Sequence, residues 1–195
     1  MDDRAFATLA ALQGRIQALK LLPRTGWLQR GLQNVESVAD HSFGVAALAL
    51  VVGDLHPELD RGRLLATALL HDLAEALIGD LPASASRLIG KAAKHGAERK
   101  AMLELLGGLP RADGYLTLWE EYSQGATPEA RLVKALDRLE MLAQTLAYER
   151  AGARGLGEFW AERDGWADEF PLVRALADQL HAEHAALVGA AERAA

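Results

Sequence analysis

The chain has 195 residues, is 50% hydrophobic and 25% charged, contains no cysteine and carries a net charge of -6. That length suits one domain with a sizeable core, and the missing cysteines exclude thiol catalysis, Cys-type zinc sites and a disulfide scaffold. The acidic balance argues against a nucleic-acid polymer as partner, because phosphate contacts dominate that affinity and need basic surface; a small phosphate ester would need a local cation or a metal. The start, Met1-Asp2-Asp3-Arg4, is acidic where a secretory leader is basic. The longest apolar run, Val45 to Val52, is too short to span a bilayer. A cytoplasmic protein with no membrane partner is expected.

Apolar residues recur at three- and four-residue steps almost throughout, and no period-2 run bounded by turns is present. The expectation is an all-α chain. A first helix is predicted over Ala5 to Lys20, stopped by Pro23. A polar, Gly-containing stretch follows to Asn34. A second helix is predicted over Ser37 to Leu55, a third over Gly62 to Ala76, a fourth over Ser84 to Leu106 and a fifth over Gly114 to Gln124. The sixth has the clearest start: Thr127 is a candidate cap, Pro128 suits the first helical position and Glu129 suits the positive end of the dipole. It should reach Arg150. Gly152, Gly155 and Gly157 mark a loop, Asp164-Gly165 a turn, and a last helix is predicted over Leu172 to Val188, with the Ala-rich end frayed. One domain over 1–195 is expected.

Four residues stand out as metal-type donors: His41, the adjacent pair His71-Asp72, and Asp137. Two imidazoles and two carboxylates suit Mn²⁺, Co²⁺, Fe²⁺ or Zn²⁺. On a continuous third helix, His71 and Glu75 would share a face, with Asp72 about 100° away. Asp137 has Val133 and Met141 at i−4 and i+4, an apolar setting in which a carboxylate is costly unless a cation meets it. Taken singly, each His also fits a hydrogen-bonded core or surface role, Asp137 an ion pair with Lys134 or Arg138, and Glu75 a solvated face. The joint pattern, in this order, favours a metal site. His56, His95, His181 and His184 lack such company, and the last two are expected at the surface.

The segments Pro23-Arg24-Thr25-Gly26-Trp27, Glu36-Ser37-Val38-Ala39-Asp40-His41-Ser42, His71-Asp72-Leu73-Ala74-Glu75-Ala76, Gly79-Asp80-Leu81-Pro82 and Lys134-Ala135-Leu136-Asp137 together resemble the 5′-deoxynucleotidase branch of the HD-domain metal-dependent phosphohydrolases. The resemblance implies an all-α, single-domain HD helical bundle with its metal-site core at about 21–146, typically a homodimer. It implies removal of the 5′-phosphate from (deoxy)ribonucleoside 5′-monophosphates by metal-activated water. By the same resemblance His41, His71, Asp72 and Asp137 are metal ligands, and Glu75 orients or deprotonates the attacking water. Asp80 contacts the sugar and assists the chemistry, while Arg24 and Trp27 hold the phosphate and read the sugar; taken alone, Trp27 equally fits a core position. Thr25 and Gly26 separate Arg24 from Trp27, where some members have the two adjacent. Four protein ligands leave room for water and phosphate only around a five- or six-coordinate ion, which favours one Co²⁺, Mn²⁺ or Fe²⁺ and leaves Mg²⁺ or Zn²⁺ open. Lys20 and Arg30 are near enough in sequence to add local positive charge.

Three other readings are open. An HD-type di-iron oxygenase needs extra His ligands between the His-Asp pair and the last Asp, where only His95 lies. A guanosine tetraphosphate hydrolase would show an acidic pair where Glu75 is followed by Ala76. A non-catalytic nucleotide-binding helical module would be expected to lack a ligand or Glu75.

Overall fold

The structure is a computed structural model that describes residues 2–161 and 165–194. Among these residues ten α-helices follow in order: α1 (Asp3–Leu21), α2 (Thr25–Leu28), α3 (Val38–Gly53), α4 (Arg61–Leu70), α5 (Glu75–Ile78), α6 (Ala83–Ile89), α7 (Lys91–Leu106), α8 (Ala112–Gln124), α9 (Pro128–Arg150) and α10 (Pro171–Ala194). Among the described residues there is no strand. One isolated antiparallel bridge joins Pro23 to Ser37, so the loop bearing Arg24 is pinned to the start of α3. None of the described helices is long and apolar enough to cross a membrane.

Local chemistry explains most of the helix ends. The Asp2 carboxylate caps α1 by accepting from Ala5 N at 2.6 Å. Ser37 and Asp40 form a capping box that starts α3. Thr127 caps α9 as expected, its Oγ1 accepting from Ala130 N at 3.2 Å. Two expected helices are each divided in two. The third breaks into α4 and α5 at residues 71–74, and the fourth into α6 and α7 at Gly90, whose φ of +88° an L side chain rarely adopts. The Ala-rich end, expected to fray, continues α10 to Ala194, in line with the helix propensity of alanine. Gly165 sits in a turn at φ +64°; Asp164, expected to share it, lies outside the described residues.

The chain divides into two compact units, Met1–Val133 and Lys134–Ala195. In the first, Leu19, Val38, Leu73, Ala74, Met102, Leu105 and Trp119 form a buried cluster that joins α1, α3, the 71–74 turn, α7 and α8. Met102 has no solvent exposure. Met102→Ala should therefore cost about 2–5 kcal/mol, read as a lower urea midpoint at unchanged slope. The α6 helix contributes nothing to this cluster: it buries none of its seven residues and leaves Leu88 and Ile89 exposed.

In the second unit Leu142, Leu146 and Trp160 are buried together. Glu149, also buried, accepts from Trp160 Nε1 at 3.1 Å and lies 2.8 Å from His184 Nδ1. His184 stacks on Trp160 with ring centroids 4.3 Å apart, and His181 meets the same indole edge-on at 5.3 Å. The expectation that these two histidines are plain surface residues is corrected: the indole gives both an apolar partner, and Glu149 gives His184 a charged one.

Candidate metal centre

The 71–74 turn is the key to the site. Leu73 N, Glu75 N, Ala76 N and Leu77 N each donate three residues back, to Leu70 O, Asp72 O, Leu73 O and Ala74 O, at 3.0–3.2 Å. The helix thus tightens to a 3₁₀-type turn, in which residues i and i+3 eclipse. The side chains brought into line are therefore Asp72 and Glu75, rather than His71 and Glu75 as a continuous α-helix would have it.

His41 projects from α3 and is fully buried; His71 opens the turn and is nearly so. Their Nε2 atoms face each other at 3.4 Å. Asp72 Oδ2 lies 3.2 Å from His71 Nε2 and 3.8 Å from His41 Nε2. Donors about 2.1 Å from one shared ion, at 90–109° to one another, lie about 3.0–3.4 Å apart; the His41–His71 and His71–Asp72 sides fall in that range, and the His41–Asp72 side is wider. His71 Nδ1 lies 2.7 Å from the Ala68 carbonyl, an acceptor only. That carbonyl fixes a proton on Nδ1, and with a metal ion bound the ring would be neutral, its Nε2 lone pair facing inward.

The carboxylates around this triangle are held in opposite states. Burial alone would raise the Asp72 carboxyl, but His71, Arg24 and His41 outweigh it and keep Asp72 well below the usual carboxylate range. Arg24 Nη1 donates to Asp72 Oδ2 at 2.9 Å. Glu75 goes the other way: burial first, then the charges of Asp72 and Asp80, push its carboxyl up to about 10, against the pull of Arg24 and Lys94. Its Oε2 is buried without a hydrogen-bond partner, the kind of orphaned acceptor that marks a working group.

Asp80 follows Gly79, whose φ of +78° turns the chain out of α5. The Asp80 carboxylate accepts from Thr25 N at 2.5 Å, and Thr25 Oγ1 lies 2.7 Å from the same Oδ2 and 2.9 Å from the Asp80 carbonyl. Thr25, read in sequence only as a spacer, is thus the strut that holds Asp80 against the Arg24 loop. Trp27 is buried, with Nε1 donating to Glu36 at 2.8 Å. Asp137 lies on α9, in the stretch assigned to the second unit.

Two further neighbours escaped the sequence reading. The Tyr122 ring, from α8, meets the His71 ring edge-on at 5.5 Å. Lys94, on α7, acts electrostatically on both Glu75 and Asp72. Neither belongs to a recognisable motif. The signal for Lys94 was its place on the apolar stripe of its helix.

An HD domain family model matches residues 16–167, more than half of the chain. The chain belongs to the HD domain family. It is 39% identical over 177 residues to the 5′-deoxynucleotidase HDDC2 of Danio rerio, covering 88% of this chain and 86% of that protein. It is 36% identical over 168 residues to the 5′-deoxynucleotidase hdd1 of Schizosaccharomyces pombe, covering 82% and 81%. Among solved structures, a protein of Magnetospirillum magnetotacticum described as a predicted metal-dependent phosphohydrolase aligns with a TM-score of 0.66 at 29% identity, covering 98% of this chain and 97% of that one. The HD family is metal-dependent, and the histidine–aspartate triangle is a donor set of the type such an ion requires.

Proposed function

We propose that the protein is a metal-dependent 5′-deoxynucleotidase that removes the 5′-phosphate from (deoxy)ribonucleoside 5′-monophosphates. The observation that carries this reading is the convergence of His41 Nε2, His71 Nε2 and Asp72 Oδ2 beside an orphaned, buried Glu75. The names of the curated relatives support it. We take residues 1–195 as one HD domain, in keeping with a family match that spans both compact units.

His41, His71, Asp72 and Asp137 are the proposed ligands of one Co²⁺, Mn²⁺ or Fe²⁺. Asp137 sits one turn beyond the buried Val133 on a helix that runs unbroken from Pro128 to Arg150. A divalent ion held there would supply the charge that polarises a phosphoryl oxygen, acidifies water and favours the ionised Glu75 carboxyl. Arg24 grips a phosphate oxygen with its charge-assisted fork. Glu75 accepts the proton of the attacking water, and the burial that raises its carboxyl lets it hold that proton while the 5′ oxygen leaves. Asp80, fixed through Thr25, orients the sugar and assists proton transfer. Trp27, buried and tied to Glu36, contributes the wall against which the sugar is read.

The di-iron oxygenase reading finds less support. His95 is held by Ser123 Oγ at 2.9 Å and Glu120 at 3.2 Å, and it stacks on Trp119. Homodimerisation and a cytoplasmic location complete the proposal; the first follows from the resemblance and is checked by light scattering.

The test is phosphate release from a panel of deoxy- and ribonucleoside 5′-monophosphates, using metal-stripped protein to which Co²⁺, Mn²⁺, Mg²⁺ or Zn²⁺ is returned. Metal-dependent release, stronger on the deoxy set, is expected. Silence across the panel with metal bound would replace this reading with another phosphoester as substrate, an oxygenase or a non-catalytic nucleotide-binding module.

A further inference from the structure

The α7 helix turns one face toward the core. Read at three- and four-residue steps, that face is Lys94, Glu98, Ala101, Met102 and Leu105. Its C-terminal half is buried against the site turn: Met102 and Leu105 share a cluster with Leu73 and Ala74, and Ala76, Leu77 and Ile78 pack on the same cluster. One to two turns earlier, the same stripe ends in two charges. A lysine at the inner end of an apolar stripe is uncommon unless its head has somewhere polar to go.

The head of Lys94 has little of its own to meet. Its one ion pair among the described residues is with Glu98 on the next turn, at 3.3 Å, and its side chain is 31% exposed. An ammonium has three donors. Its remaining electrostatic partners are Glu75 and Asp72, across in the metal centre. Of the cations near these carboxylates, Arg24 is already committed to Asp72 at 2.9 Å. A phosphate dianion entering beside the Asp72 and Asp80 carboxylates would meet their repulsion; a divalent ion would offset much of it, but the guanidinium at hand is shared with a metal ligand, which leaves a place for a second cation.

We propose that Lys94 is a second phosphate-binding cation of this centre, donating to the substrate's phosphate from the α7 side while Arg24 holds it from the α2 side. This rests on the nucleotidase reading for the identity of the substrate, but the binding claim is about phosphate itself.

The experiment is calorimetric titration of inorganic phosphate into Mn²⁺-loaded protein, for the wild type, Lys94→Met, Lys94→Arg and Glu98→Gln, together with KM and kcat on a deoxynucleoside 5′-monophosphate. Lys94→Met should weaken phosphate binding about tenfold or more and raise KM similarly, with Mn²⁺ affinity unchanged. Lys94→Arg should recover most of the binding. Glu98→Gln, which removes the lysine's local partner, should bind phosphate at least as well as the wild type. Wild-type phosphate affinity in Lys94→Met would overturn the proposal and leave Lys94 as a partner of Glu98 alone. So would loss of Mn²⁺ together with phosphate, which would mark Lys94 as structural. Should the wild type bind phosphate through Lys94 yet turn over no nucleotide, the nucleotidase reading falls and this assignment stands.

Discussion

Glu75→Gln should lower kcat by about 10²–10⁴-fold, the usual contribution of a positioned general base, while Mn²⁺ binding should stay near the wild-type value. The same substitution should stabilise the metal-stripped protein. The wild-type carboxyl is pushed from its ordinary 4.5 up to about 10, mainly by burial and then by the charges of Asp72 and Asp80. A carboxyl whose folded-state value is raised contributes fully to stability only below about 4.5. That contribution is lost as the pH climbs toward 10, because the unfolded chain releases the proton first. The amide carries no such charge, so its advantage should be absent at pH 4, grow through pH 6 to 9, and amount to on the order of 1 kcal/mol or more by then. Thermal unfolding of stripped wild type and variant across that range reads it directly. Equal melting temperatures at pH 8, or near-normal turnover in the variant, would remove Glu75 from the role assigned to it.

Asp72→Asn should remove metal and activity together. Its Oδ2 lies within 3.8 Å of both inward-facing imidazole nitrogens and 2.9 Å from Arg24. The amide keeps the shape but gives up the charge that attracts a cation, and its NH₂ would oppose the Arg24 donors. Loss of a supporting contact around a metal ligand usually weakens binding by about 10–100-fold; loss of a ligand should exceed that. Calorimetry with Mn²⁺ and phosphate release at saturating Mn²⁺ check it. Retained activity at micromolar metal would place the ion elsewhere.

The two substitutions separate chemistry from metal retention, and the geometry explains why they can. Glu75 sits beside the donor triangle and not in it, with one oxygen of its own unpartnered. Asp72 is a corner of the triangle itself.

How far the sequence speaks for this site depends on the residue. His41, His71 and Asp72 were legible because their identity and order mark them wherever the helices go. The alignment of Asp72 with Glu75 was not. The run Leu69-Leu70-His71-Asp72-Leu73-Ala74-Glu75-Ala76-Leu77 contains no glycine or proline, and nothing in its composition announces that its hydrogen bonds shift from i−4 to i−3. That shift is set by tertiary packing of Leu73 and Ala74 into the cluster with Met102 and Trp119. Gly90 shows the converse. A single glycine in a helical pattern is usually tolerated as a weak point, but here it takes a positive φ and separates α6 from α7. Thr25 was present in a motif and overlooked because its neighbours carried the charge and the ring. Lys94 belonged to no motif, and only the burial of its own stripe reveals its direction.

The poor anchorage of α6 has a consequence for how the molecule breathes. This helix follows directly on Asp80, Leu81 and Pro82, has no side-chain cap, and is bounded at its far end by the turned-out Gly90. Opening it exposes almost no apolar surface that was covered before, so the free energy of that local opening is small beside that of the whole unit. Its amides should be among the first of the first unit to exchange with deuterium, on a timescale set by local fluctuation rather than global unfolding. A protease offered the native protein should nick between Pro82 and Gly90 while the cluster around Met102 stays intact, leaving two fragments that remain associated until denaturant is added.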